Sequence, residues 1–176
     1  HDKSIRVYGN TYRVDADVVP AYRFRDYTND FRFDANNYVA GIEIRPDSGG
    51  RIINYPEQHI KNGIEKNLKT NYQFKRCVRV MKNIREDMND NGFRISNQIS
   101  SFGLESLLWN IPDGIFTKYS SMKYIFEELV DYLYKNMGNF SMYYEANGIK
   151  KLFSKSEIQI AYTNFVKDLK AFYAYE

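Results

Sequence analysis

At Tyr55-Pro56-Glu57 the spacing of apolar residues changes from two to three and four, and that change divides the chain into a β part and an α part. Before it, residues 12–24 read YRVDADVVPAYRF, with Tyr12, Val14, Ala16 and Val18 alternating with Arg13, Asp15, Asp17 and Val19. A strand sends alternate side chains to opposite faces, so Asp15 and Asp17 leave the same face. Pro20 ends the pattern because it has no amide to give to a ladder. Residues 4–8 form a shorter strand that the Gly9-Asn10 turn joins to this one as a hairpin. The Asn- and Asp-rich residues 26–37 read as a loop. A strand at 38–45, a turn at Pro46-Asp47-Ser48-Gly49-Gly50 and a return at 51–54 complete an antiparallel β region.

Pro56 with Glu57 behind it starts the first helix, on which Ile60, Ile64 and Leu68 make one stripe. Thr70 or Asn71 caps the next, where Phe74, Cys77, Val78, Met81, Ile84 and Met88 recur at helical spacing up to Asn91-Gly92 and must be core. Residues 99–111 are apolar nearly all round, which marks a helix buried on most sides. Pro112-Asp113-Gly114 ends it. A helix at about 122–137 with Gly138 as its cap, an irregular stretch at 139–153, and a final helix opened by the Ser154/Glu157 capping box follow. The expected architecture is α+β: strands over 1–55, then a helical bundle over 56–176.

A net charge of +3 suits phosphate-bearing ligands but is too small to define a nucleic-acid binder by itself. Cys77 is the single cysteine, which excludes an internal disulfide, and no Cys/His cluster has zinc spacing. No apolar run approaches the ~20 residues of a membrane span, so a cytoplasmic protein is expected, with no membrane partner. Gly-rich phosphate loops and nucleophile elbows are missing too.

Three groups of residues carry candidate chemistry. Asp15 and Asp17 on one face can share a hard cation such as Mg²⁺; the plainer reading is the wet face of an edge strand. Lys75, Arg79 and Lys82 sit at i, i+4 and i+7 on one helix face, either a row for a triphosphate or a solvated basic surface. Ser100 and Ser101 open the buried helix as phosphate ligands or as plain caps, and Phe102 beside them is core or a platform for a base. His59 has no partner carboxylate at ligand spacing and reads as structural.

Taken together, ADVVPA at 16–21, RCVRVMKNIR at 76–85 and ISSFGLESLL at 99–108 resemble the nucleotidyltransferases of the DNA polymerase beta superfamily. The nearest likeness is to the bacterial relatives of oligoadenylate synthetase and cyclic GMP-AMP synthase, which make cyclic or linear oligonucleotides. NYPEQHIKNGIEKNLKTN at 54–71 is similar to the hairpin-to-helix passage of that bacterial group.

The resemblance implies that Asp17 is the third catalytic carboxylate and a metal ligand, with Asp15 a weaker match that supports the site. It implies that Lys82 and Ser101 contact phosphates and that Phe102 lies near the base, and Arg79, which shares the cation row with Lys82, is expected to bind the nucleotide with it. The implied cofactor is Mg²⁺, with Mn²⁺ as the alternative. Nucleoside triphosphates are the implied substrates, second-messenger synthesis in antiviral defence the implied setting, and a nucleic-acid or protein activator a further implied partner. The family also needs an upstream Gly-Ser turn and a first pair of carboxylates, which nothing before Tyr12 supplies, so the chain is expected to be the C-terminal part of a longer enzyme and inactive alone. Two other readings stay open: a noncatalytic nucleotide- or partner-binding module of the same fold, and a helical domain that contacts RNA through Lys75 and Arg79.

Overall fold

The alternating segments before Tyr55 fold into two antiparallel sheets. The computed structural model describes residues 2–27, 30–94 and 98–173. Strand β1 (Ile5–Val7) pairs with β2 (Ala16–Val18) in the register Ile5↔Val18, Arg6↔Asp17 and Val7↔Ala16. The hairpin turns tightly at Gly9, where a Cβ would lie 2.5 Å from the Arg13 carbonyl oxygen, closer than any side chain tolerates.

Strand β3 (Tyr22–Tyr27) pairs with β4 (Tyr38–Ile44), which pairs in turn with β5 (Ile52–Asn54). The break expected at Pro20 is present, and the segments on its two sides, β2 and β3, belong to different sheets. Pro20 is the physical reason, since the ladder cannot run through a residue without an amide. Asp26 and Tyr27, expected in a loop, continue β3 opposite Val39 and Tyr38. Tyr27 packs on the Tyr38 ring at 5.5 Å, and Asp26 accepts a 2.6 Å hydrogen bond from the Tyr55 hydroxyl. Burial and that carboxylate push the Tyr55 phenol up to about 12.

The chain divides into two compact units after Glu57. The helices follow in order, all in the second unit but for the first two residues of α1: α1 (Pro56–Lys69), α2 (Gln73–Asp90), α3 (Ser101–Trp109), α4 (Asp113–Phe116), α5 (Met122–Lys135), a 3₁₀ segment (Met137–Met142) and α6 (Ser156–Tyr173). The spacing on α2 is borne out: Phe74, Cys77, Val78, Met81 and Met88 are buried, and Ile84 packs partly buried against them. Burial lifts the Cys77 thiol to about 12, which keeps it protonated and unreactive. The start of α2 is secured by Thr70, whose hydroxyl accepts from the Phe74 amide at 3.1 Å, and by Asn67, whose Oδ1 accepts from the Lys75 amide at 3.1 Å. Met137 and the residues after it tighten into the 3₁₀ segment, so Gly138 lies inside that segment and Asn136 caps α5.

Helix α1 faces the other way from what its apolar stripe suggests. Ile60, Ile64 and Leu68 are 61%, 49% and 54% exposed, whereas Gly63 and Lys66 are buried. Lys66 goes inward because it finds partners there: its ammonium donates to the Ile111 carbonyl and pairs with Asp113 at 2.6 Å. Removing a buried charge-assisted donor should cost about 1–3 kcal/mol, while a change on the outer stripe should stay within about 0.5 kcal/mol. Denaturant titration of Lys66→Ala and Ile64→Asp in this chain checks the contrast, and equal losses would refute it.

Helix α3 is buried through Gly103, Leu104, Ser106, Leu107 and Leu108. A Cβ on Gly103 would stand 1.5 Å from the Tyr162 hydroxyl, and Tyr162 is wedged in the core against the Phe153 ring at 5.2 Å. Gly103→Ala must displace that tyrosine, so thermal or chemical unfolding should show a loss of about 1–3 kcal/mol. Among the described residues no helix is long and apolar enough to cross a membrane.

Candidate functional site

In the N-terminal unit, Arg6 and Asp17 are directly opposed across the β1–β2 ladder, and opposed residues of an antiparallel pair share a face. Asp15 lies one step along that face, just before β2. Its Oδ2 accepts from the Arg6 guanidinium at 2.8 Å and its Oδ1 from the Gly9 amide at 2.7 Å. These bonds hold the Asp15 carboxyl below its ordinary range, with the Arg6 bond the larger cause. Asp15 thus staples the hairpin with both oxygens, whereas the exposed Asp17 side chain has no hydrogen-bond or ion-pair partner among the described residues. Of the two, Asp17 is the carboxylate free to take a cation. Among the described residues no group of three His, Cys, Asp or Glu side chains is placed to hold a metal ion.

In the helical unit, α2 carries Lys75 and Arg79 exposed and Lys82 half-buried. Facing them across the α2–α3 contact is Glu105, whose carboxyl is held below its ordinary range by His59 first and then, against the raising effect of burial, by the fields of Lys82 and Lys75. Lys82 and Lys75 thus act on this carboxylate through their charge, while Lys75 and Arg79 remain exposed to solvent.

Ser100 caps α3, its Oγ accepting from the Gly103 amide at 3.0 Å. The side chain of Ser101 points elsewhere: its Oγ accepts from Arg85 at 3.3 Å, and the same guanidinium nitrogen donates to the Ile99 carbonyl at 2.8 Å. Phe102 is 46% exposed, so it is a surface ring rather than core. Helices α2 and α3 pack on each other, with Arg85 of α2 bonded to Ser101 and the charge of Lys82 felt by Glu105, and Phe102 lies exposed beside Ser101 on α3.

Three residues near Lys82, Ser101 and Phe102 were not among the candidate site residues expected from the sequence. Arg85 is one helical turn beyond Lys82, and Glu105 one turn beyond Phe102, so helical spacing alone already placed both on the correct faces. His59 carries no such signal. It was read as structural for want of a carboxylate, but Glu105 supplies one from α3, with Nε2 and Oε1 3.8 Å apart. Two cavities among the described residues are lined by other side chains. One of about 410 Å³ on the three-stranded sheet is lined by Tyr22, Arg23, Tyr38 and Gly41, and one of about 230 Å³ in the helical unit by Asn62, Lys66, Trp109 and Asp113.

The Glu105 carboxylate also makes stability depend on pH. A carboxyl whose folded pKa is depressed stabilises fully above its unfolded value and loses that contribution as pH falls through the folded one. Glu105→Gln should therefore lower stability at neutral pH and approach the unmodified chain below the ordinary glutamate range. Unfolding midpoints taken from neutral to acid pH measure this, and a constant difference across the series would contradict it.

A two-stranded and a three-stranded antiparallel sheet followed by a helical bundle define a chain of α+β architecture. Residues 61–175 match the cGAS/DncV-like nucleotidyltransferase C-terminal helical domain, and the chain belongs to that family. It is 43% identical over 174 residues to the cyclic GMP-AMP synthase CdnE03 of Staphylococcus schleiferi, covering 99% of this chain and 54% of that protein. It is 42% identical over 135 residues to a cyclic dipyrimidine nucleotide synthase of Cecembia lonarensis, covering 77% of this chain and 44% of that one. Among solved structures, the CdnE cyclic dinucleotide synthase of Elizabethkingia meningoseptica with GTP and Apcpp superposes with a TM-score of 0.84 at 29% identity, covering 97% of this chain and 62% of that one. The α+β fold expected from the sequence is the fold observed. The chain spans about half the length of the curated relatives it matches.

Proposed function

We propose that this chain is the C-terminal part of a nucleotidyltransferase that transfers a nucleoside monophosphate from an NTP to a nucleotide hydroxyl, building cyclic or linear oligonucleotides. The observation that carries this reading is the match of 99% of the chain to a cyclic nucleotide synthase, joined to the Lys82–Ser101–Phe102 neighbourhood.

In the reaction, the hydroxyl oxygen attacks the α-phosphorus, the bond to the bridging oxygen of the β-phosphate breaks, and pyrophosphate leaves. Asp17 would hold Mg²⁺, or Mn²⁺ in its place, and its unpartnered carboxylate fits that role better than the stapled Asp15. When bound, such an ion offsets charge on the attacking and leaving oxygens. Asp17 accepts the proton of the attacking hydroxyl. Lys82, supported by Arg79, neutralises the departing phosphates, and the Ser101 hydroxyl donates to a phosphate oxygen while Arg85 orients it. Phe102 stacks on the base.

Among the described residues no group of three His, Cys, Asp or Glu side chains is placed to hold a metal ion, and in this reading the remaining carboxylates of a two-ion site come from elsewhere in a longer protein. The expected outcome is that the longer protein converts labelled NTP with Mg²⁺ into oligonucleotides and pyrophosphate, whereas these 176 residues alone make no product. Product from the 176 residues would sink the two-part reading, and none from the longer protein with any NTP pair would sink the enzymatic one.

A further inference from the structure

Phe102 does not stand alone. The imidazole of His59, from α1, lies against it with ring centroids 4.9 Å apart and planes 21° from parallel. The His59 side chain is only 17% exposed, whereas Phe102 remains 46% exposed. One face of the phenyl ring is therefore covered by an imidazole, and the ring still offers surface to a flat ligand. Stacked rings of this kind restrict each other's tilt, because an offset-parallel contact is one of the two favoured arrangements of such a pair and a swing out of it gives up that contact.

His59 is anchored in turn. Its Nε2 faces Glu105 Oε1 at 3.8 Å, and Glu105 lies one helical turn beyond Phe102 on α3, so the histidine bridges the ring and the carboxylate of the same helix face. Its Nδ1 is buried and has no hydrogen-bond partner. A histidine kept only for structure ordinarily satisfies both nitrogens, so an orphaned one is a cost that packing alone does not explain. Glu105 also feels the charges of Lys82 and Lys75 from α2, the helix packed against α3.

We propose that His59 is a positioning residue for the nucleotide base: it backs the Phe102 ring and, held by Glu105, sets the angle at which that ring's exposed surface receives a purine or pyrimidine. The proposal rests on the reading of Lys82, Ser101 and Phe102 as nucleotide-binding. It differs from that reading in a measurable way. A residue that sets base stacking affects ligands that have a base and spares those that have only phosphates, whereas a residue that merely holds α1 against α3 affects both.

The experiment uses the full-length protein carrying this chain and compares nonhydrolysable ATP and UTP analogues with inorganic tripolyphosphate as probes, by calorimetric titration. His59→Gln and His59→Leu remove the ring at similar volume, and whichever folds serves; His59→Phe restores a ring. Loss of a stacking partner is expected to weaken the nucleotide analogues by about 5–50-fold. Tripolyphosphate affinity should stay within about 2-fold, and His59→Phe should recover nucleotide affinity to within about 3-fold. Equal weakening of tripolyphosphate and nucleotides, or no weakening while Phe102→Ala weakens the nucleotides, overturns the proposal and leaves the nucleotide reading intact. If Phe102→Ala and Lys82→Ala both leave nucleotide affinity unchanged, the reading itself falls and the proposal falls with it.

Discussion

Asp17→Asn in the longer protein is expected to lower oligonucleotide formation by about 10²–10³-fold or more while NTP-analogue affinity changes little. The substitution keeps size and shape but removes the charge, and with it a metal ligand and the acceptor for the hydroxyl proton. Effects of that kind amount to several kcal/mol of transition-state stabilisation. Because the Asp17 side chain has no partner in the hairpin, the change should leave folding untouched. Asp15→Asn is the informative contrast. It breaks the charge-assisted bond from Arg6 while the hairpin keeps its Gly9 contact, so its main consequence should be a looser hairpin and a smaller, partial loss of turnover. Single-turnover rates beside affinities separate the two. Should Asp15→Asn prove as severe as Asp17→Asn at unchanged thermal stability, Asp15 would belong to the metal site and the staple assignment would be wrong.

Lys82→Ala is the second large expected effect. Lys82 is the half-buried member of the cation row and acts on Glu105, so its charge is less screened than those of exposed Lys75 and Arg79. A charge-assisted hydrogen bond to phosphate is worth about 1.5–3 kcal/mol, which corresponds to roughly 10–100-fold in nucleotide affinity. Arg79→Ala should cost less and respond more strongly to added salt, as an exposed charge does. Titrations at two salt concentrations test the ranking; a larger loss for Arg79 than for Lys82 would reverse the assignment. Lys82→Arg is not expected to restore full affinity, because a planar guanidinium cannot reproduce the contact of a compact ammonium.

Much of the helical unit was legible because a buried face must recur at the helical period. Phe74, Cys77, Val78, Met81 and Met88 on α2 and Leu104, Leu107 and Leu108 on α3 are where their spacing puts them. The hairpin and the strand at Tyr38 were legible for the same reason with a period of two. The break at Pro20 was seen in sequence, but not that it hands the chain from one sheet to another. Asp26 and Tyr27 were lost to the loop because Asn and Asp dominate the composition there, while the ring of Tyr38 and the hydroxyl of Tyr55, which hold them in β3, come from other segments. Composition cannot report a partner.

The same limit decides the candidate site. Spacing by itself determined that Asp15 and Asp17 share a face, that Lys75, Arg79 and Lys82 share another, and that Ser101 and Phe102 open a buried helix. Tertiary structure alone decided which of these groups is already engaged. It gave Asp15 to Arg6 and left Asp17 free, turned the Ile60–Ile64–Leu68 stripe outward by drawing Lys66 to Ile111 and Asp113, and set His59 between Phe102 and Glu105. Periodicity fixes directions within one element, because backbone geometry repeats. Whether a side chain is spent on structure or left for a ligand depends on charges and rings that other elements bring to it, and no local pattern encodes those meetings.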